Sequence, residues 1–309
     1  MATMNLNEPC HILLAIDGSE HAYTAAALLQ ELPLPPKCSV RAIGVFRPRD
    51  AGDLYQYDQP LHIIENDFKA AGIPITTELL AGSPAEVILE TAQVNPTDLI
   101  VLGARGLRST LGIMLGGVAQ QVVEYSNHPV LIVHAPYTGI RRVLLLTDGS
   151  VYSEQAVEYL GRFRLPPGTD LRVLTVLPPL TLPYLPMNMP GLPGYPSGPV
   201  TIRTEAIPGP SEEEEKAEGQ VLLDKTVDRL NRIIPEGAGL KISSLLVRGD
   251  AATEIIDYVK QNQIDLIIAG SLGTSRGKGW KLGSVSRKLI HYAGCSILIV
   301  RQVDQSINR

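Results

Sequence analysis

Short, uninterrupted apolar runs separated by longer amphipathic stretches dominate the pattern of this chain. Residues 12–16 (ILLAI), 143–146 (VLLL) and 266–269 (LIIA) carry no polar position at all. A strand with one wet face alternates apolar and polar residues, so unbroken runs predict strands buried on both faces, as in a parallel sheet covered by helices. Helix starts fall where such a fold needs them. Ser83-Pro84-Ala85-Glu86 follows the run at 75–80 with capping-box spacing and proline at the first helical position. Asp250-Ala-Ala-Thr253 follows the run at 245–247 and predicts a weaker cap at the equivalent point.

The pattern occurs twice. His11-Ile-Leu-Leu-Ala-Ile-Asp17-Gly18-Ser19 matches Arg142-Val-Leu-Leu-Leu-Thr-Asp148-Gly149-Ser150 at an offset of 131 positions. Asp98-Leu-Ile-Val-Leu-Gly103-Ala-Arg-Gly106 matches Asp265-Leu-Ile-Ile-Ala-Gly270-Ser-Leu-Gly273 at 167, as does Leu131-Ile-Val against Leu298-Ile-Val. The second copy therefore carries 36 extra residues between the matches, and a Pro- and Gly-rich insertion at 178–211 accounts for nearly all of them. A repeat whose period is a whole domain predicts two α/β doubly wound domains, at 1–138 and 139–309.

Each copy places its chemistry at the same two points, an Asp-Gly-Ser after the first run and a glycine loop after a later one. In the second copy the loop reads Gly270-Ser-Leu-Gly273, nine residues, then Gly283-Ser284-Val285-Ser286, ahead of the helical stretch from Arg287. Strand, glycine loop and helix start together make a phosphate site, because glycine backbone approaches a ligand without a Cβ and the first helical N–H groups point at an anion. In doubly wound sheets ligands bind at the carboxyl ends of strands where strand order reverses, which brings Asp and loop to one crevice per copy. Without a ligand, the Asp-Gly-Ser segments read as turns and helix N-caps. Two better-known phosphate motifs fail on spacing. Lys278 is followed by Gly279 rather than Ser or Thr, and Gly277 and Gly279 are followed by Leu282 where a third glycine belongs.

The spacing G-x-x-G, nine residues, G-S is similar to the ATP-binding signature of the universal stress protein family, and with the repeat nearly the whole chain resembles a tandem two-domain member. The resemblance implies an open five-stranded parallel sheet in each domain and an adenine nucleotide, ATP, between the Asp and the glycine loop. In the second copy it assigns the nucleotide to Thr147, Asp148, the backbone at Val176, Gly270, Gly273, Gly283, Ser284, Val285 and Ser286, with Mg²⁺ carried through the phosphates. The matching positions in the first copy are Asp17, Val45, Gly103, Gly106, Gly116, Gly117 and Val118. That copy departs from the signature, since Gly117 and Ala119 stand where serines are expected. Two hydroxyl hydrogen bonds at about 0.5–1.5 kcal/mol each correspond to about five- to 150-fold in affinity. Arg276 and Lys278 supply candidate phosphate charge in the second loop, with a solvated charged face as the alternative. ATP is thus expected mainly in the second domain. Weak binding, a different ligand and a packing surface stay open for the first. In the family the last strands mediate pairing, which here predicts an intrachain pseudo-dimer of residues 130–133 with 297–300 and leaves a further homodimer open.

Composition narrows the rest. An apolar fraction of 44% supports real cores, and the net charge of −5 argues against nucleic acid or an anionic membrane as partner. No run approaches the roughly 18 apolar residues of a membrane span, and no targeting segment is recognisable, so the expected location is cytoplasmic. Cys10, Cys38 and Cys295 lack C-x-x-C spacing and read as small apolar residues, and the histidines show no ligand pairing, so no metal site is expected. The insertion reads as an arm or a linker, leading into a capping box at Ser211 and Glu214. Only Asp148 is a credible carboxylate near the phosphates, and no catalytic residue is assigned. An ATP-binding regulatory protein of the stress response is favoured over a slow ATP hydrolase or nucleotidyl-transfer enzyme, with a nucleotide-free scaffold as the third alternative.

Overall fold

The computed structural model describes residues 9–48, 54–107, 115–180, 211–235, 237–274 and 282–301. The first half runs β1 (Cys10–Ile16), α1 (Glu20–Glu31), β2 (Cys38–Phe46), α2 (Tyr55–Ala70), β3 (Ile75–Ala81), α3 (Pro84–Val94), β4 (Leu99–Gly103), α4 (Gly117–Tyr125) and β5 (Val130–Val133). The second repeats it with β6 (Arg142–Leu146), α5 (Val151–Tyr159), β7 (Asp170–Leu177), α6 (Glu212–Ile233), β8 (Lys241–Arg248), α7 (Ala251–Asn262), β9 (Leu266–Gly270), α8 (Ser284–Tyr292) and β10 (Ser296–Val300).

Strand order is β3-β2-β1-β4-β5 followed by β10-β9-β6-β7-β8, with every pairing inside a half parallel. The halves join through an antiparallel pair, Ile297 beside Ile132 and Leu298 beside Leu131. Two five-stranded doubly wound sheets thereby become one ten-stranded sheet. One face is covered by α1, α2, α5 and α6, whose Leu28, Phe68, Val157 and Leu223 pack on Leu14, Val101, Leu145 and Ile268. The other is covered by α3, α4, α7 and α8, whose Ile88, Val122, Val259 and Leu289 pack on Ile100, Ile132, Leu144 and Ile267. Both layers run across the junction, so each unbroken run has an apolar partner on both sides.

Side chains reinforce the joint. Arg301, just past β10, is buried and donates to the carbonyls of Ser126 and Val123 at the end of α4, the latter at 2.6 Å. Burial lowers its pKa to about 10. Arg287 on α8 pairs with Glu124 on α4 at 3.0 Å, and the Tyr159 hydroxyl donates to the Asp98 carbonyl at 3.1 Å.

The caps differ in part from expectation. Ser83 occupies the N-cap of α3 but makes no side-chain cap bond, so Pro84 starts that helix with its missing N–H rather than through a capping box. Asp250, the weaker candidate, accepts from the Thr253 N–H at 3.1 Å. Ser211 and Glu214 form the full capping box of α6. Arg248 at the end of β8 donates to the Pro178 carbonyl at 2.8 Å and to Glu215 at 2.6 Å, tying the two ends of the insertion together. Residues 181–210 of the insertion, and Arg276 and Lys278, lie outside the described residues.

Candidate functional site

The strand order reverses at β1 in the first half, which has β2 on one side and β4 on the other, and at β6 in the second. Each crevice is closed by the Asp that ends the first strand. Asp17 accepts from the Ser19 N–H at 3.0 Å and reaches the glycine loop to accept from the Leu107 N–H at 3.2 Å. Asp148 repeats both bonds, with the Ser150 and Thr274 N–H groups, each at 3.0 Å. Ser19 and Ser150 cap α1 and α5, so the turn-and-cap reading of Asp-Gly-Ser and the convergence on the loop hold together.

The first two glycines of each loop are demanded by packing. A Cβ on Gly103 would stand 2.7 Å from the backbone carbon of His21, and one on Gly270 would stand 2.6 Å from that of Tyr152. A Cβ on Gly106 or Gly273 would stand 2.4 or 2.7 Å from the clamping Asp oxygen. G-x-x-G thus lets α1 and α5 seat against β4 and β9 and lets the Asp reach the loop, with no ligand needed to explain it.

The helices that follow are different. Gly116 and Gly283 are the N-caps of α4 and α8, and each donates its N–H back to the loop, to Ala104 and Ser271, at 2.7 Å. Neither helix has a side-chain cap bond, whereas α1, α5, α6 and α7 all do. Their first-turn N–H groups have no side-chain acceptor, and a helix terminus of that kind can take an anion. Ser286, one of the two hydroxyls expected at the phosphates, is buried and donates to the Gly270 carbonyl at 2.9 Å, whereas Ser284, the other, is exposed at that terminus. Thr147 is also buried, with its hydroxyl 3.4 Å from that of Ser153, while its carbonyl accepts from Thr175 at 3.0 Å. Val176 sits half-buried beyond it at the end of β7.

In the first half all of Asp17, Val45, Gly103, Gly106, Gly116, Gly117 and Val118 line one cavity of about 480 Å³. That volume lies in the range of small-molecule sites, about 300–1,000 Å³. Its inner wall is apolar, from Ile43, Ile88, Leu102 and Ala119, and its rim adds Arg47, Tyr57 and Arg105. Sequence spacing does not point to Arg47, just past β2, or to Tyr57, on the first turn of α2, because no motif marks either. Arg105 is held in place by His21, whose Nε2 accepts from the guanidinium Nε at 2.9 Å. Its other ring nitrogen, Nδ1, lies 3.0 Å from the Ala135 N–H and 3.4 Å from the Val133 carbonyl. Burial is the main cause holding His21 below its ordinary pKa, with Arg105 adding to it. His134 meets His21 edge-on with ring centres 5.9 Å apart, and burial first, then His21 and Arg105, lower its pKa to about 4. Among the described residues no group of three or more His, Cys, Asp or Glu is placed to hold a metal, and no helix is long and apolar enough to cross a membrane.

Known proteins place this geometry. The profile of the Universal stress protein family matches residues 10–134 and again 139–301. A universal stress protein of Mycolicibacterium smegmatis is 26% identical over 240 residues, covering 74% of this chain and 70% of that one. Another from Mycobacterium tuberculosis is 22% identical over 314 residues, covering 94% and 97%. Among solved structures, a universal stress protein from Archaeoglobus fulgidus superimposes with a TM-score of 0.61 at 18% identity over 94% of this chain and 98% of that one. With the family profile covering both halves of the duplication, the chain belongs to the universal stress protein family.

Proposed function

We propose that the chain is a nucleotide-responsive regulatory protein of the stress response that binds ATP, with the second domain as the principal site. The observation that carries the reading is the pair of helices, α4 and α8, that begin at a glycine without a side-chain cap, each beside an Asp-clamped loop at a strand switch point. Ser or Asp side chains cap α1, α5, α6 and α7, and of the uncapped helices only α4 and α8 begin at a glycine beside the Asp-clamped loop, so these two termini are left for a ligand anion. Asp148 and the Val176 backbone flank the ribose and base in this reading, Gly283, Ser284 and Val285 meet the phosphates, and Arg276 and Lys278 add charge. Mg²⁺ fits as a passenger on the phosphates, since it keeps several waters and needs few protein ligands.

The first crevice supports a second, weaker nucleotide site. Its cavity of about 480 Å³ has an apolar wall for a base and the same backbone N–H terminus, and it lacks the serine hydroxyl at Gly117. The domains divide at 138/139, and the protein acts in the cytoplasm. Isothermal titration of ATP into the full chain tests the reading, alongside Ser284→Ala and Gly283→Val. Saturable binding weakened by both changes supports it. Binding that is absent, or indifferent to both, overturns it.

A further inference from the structure

Cys10 and Cys38 lie at the end of the sheet opposite the crevices. In the register of β1 and β2 they are direct partners, and both belong to the same apolar layer, Cys38 buried within it and Cys10 half-buried at its edge. Neighbouring strands run about 4.8 Å apart, inside the Cα separation of about 4.4–6.8 Å that a disulfide accepts. The interaction between the two thiols raises the pKa of Cys10 and lowers that of Cys38. A cavity of about 60 Å³ opens on Cys10, walled by Leu32, Leu34, Leu99, Tyr159 and Phe163. A molecule the size of water or peroxide fits such a space. The second half holds Arg141 and Thr169 at the matching positions, so the duplicated fold itself does not require the pair.

We propose that Cys10 and Cys38 form a reversible disulfide when a hydroperoxide reaches them, making the base of the first domain a redox-modification site. Oxygen transfer from the hydroperoxide to one sulfur breaks the O–O bond and gives a sulfenic acid plus water or an alcohol. The second sulfur then attacks the first, the S–S bond forms, and hydroxide leaves with the remaining thiol proton as water. Two electrons pass from the sulfurs to the peroxide, and no further reactant is required. In-register parallel neighbours hold their Cβ atoms close to the strand spacing of about 4.8 Å, slightly beyond the 3.5–4.5 Å a relaxed disulfide prefers, so the bond is strained and open to reduction. Cys295 is an internal control, because it packs in the apolar layer on the other face of the sheet, away from Cys10 and Cys38.

The test treats the folded full chain with hydrogen peroxide, blocks remaining thiols with iodoacetamide in denaturant without reductant, and maps the peptides by mass. A Cys10–Cys38 linked pair, lighter by two hydrogens, restored by dithiothreitol and formed faster than in the urea-unfolded chain, is the expected result. Both cysteines alkylated, oxidation stopping at sulfinic acid without a link, or faster linkage in the unfolded chain would each overturn it. Cys38→Ala should abolish the link while sulfenic acid is trapped on Cys10. A Cys10–Cys295 link in that variant, at the wild-type rate, would also count against it.

Discussion

Gly117→Ser isolates the difference between the two crevices. Gly117 is the first residue of α4 and the counterpart of Ser284 in α8. A Cβ built there meets no atom within 4 Å, so the serine enters open space with little strain. Ser286 is already committed to the Gly270 carbonyl, so the free hydroxyl separating the termini is one rather than two. One hydrogen bond at about 0.5–1.5 kcal/mol corresponds to about two- to 13-fold in affinity, well below the spread that two would give. Isothermal titration of ATP into a chain whose second site is disabled by Gly283→Val should show the first site tightening by about that factor when Gly117 becomes Ser. Unfolding in urea should leave its stability within about 0.5 kcal/mol, as for an unstrained surface change. An affinity that does not move, with stability intact, would refute the claim that the hydroxyl distinguishes the sites. A gain far above tenfold would mean that the loop, rather than the hydroxyl, was limiting.

The other predictions concern what holds the fold. Gly270→Ala drives a Cβ to 2.6 Å from the Tyr152 backbone and should cost about 1–3 kcal/mol in urea unfolding, whether or not ATP is present. Arg301→Met strands the Val123 and Ser126 carbonyls in the joint between the halves and should cost about 2–4 kcal/mol; a change near zero would show that water or packing replaces the guanidinium. His134 has its folded pKa lowered to about 4 from 6.5, so the unfolded chain binds the extra proton between those values. Stability should therefore be fully present above pH 6.5 and fall as pH drops toward 4, by up to about 3 kcal/mol from this group. Denaturant midpoints across that range, flattened in His134→Asn, check the assignment.

The architecture was legible because it is written in local patterns. Unbroken runs mark the central strands, and the offsets of 131 and 167 positions align Asp17 with Asp148 and Gly103 with Gly270. The edge strands β3 and β8 are only partly buried and show weaker patterns, yet the caps after them still located α3 and α7. What the sequence could not carry were contacts between distant segments. The constraint on Gly103 comes from the His21 backbone, and the proton of Ser286 goes to a carbonyl on β9, so a loop that reads as wholly dedicated to phosphate is divided between packing and binding. The register of β1 on β2, which brings Cys10 beside Cys38, has no signature in spacing either. Arg47 past β2 and Tyr57 on α2 carry no marker, and only the folded crevice brings them together with Asp17.

The duplication separates these roles more cleanly than either copy alone. Whatever both halves keep must serve the shared fold or a shared ligand, and the first two glycines of each loop are already explained by backbone approach and the Asp clamp. The feature common to both halves that packing explains least is the glycine-started, uncapped helix, where a Cβ on Gly116 or Gly283 would meet loop backbone at 3.3 or 3.4 Å, well beyond the clashes at the first two glycines. Relative to glycine, an N-cap serine stabilises a helix by about a few tenths of a kcal/mol, so leaving α4 and α8 without one forgoes a small stability at two equivalent places. A ligand anion at each terminus restores the missing acceptors. On that basis ATP should raise the thermal midpoint of the wild-type chain, and Gly116→Ser with Gly283→Ser should raise it without ligand while blunting the ATP response. A double variant no more stable than wild type, with an undiminished response to ATP, would show that the open termini are not where the anion sits.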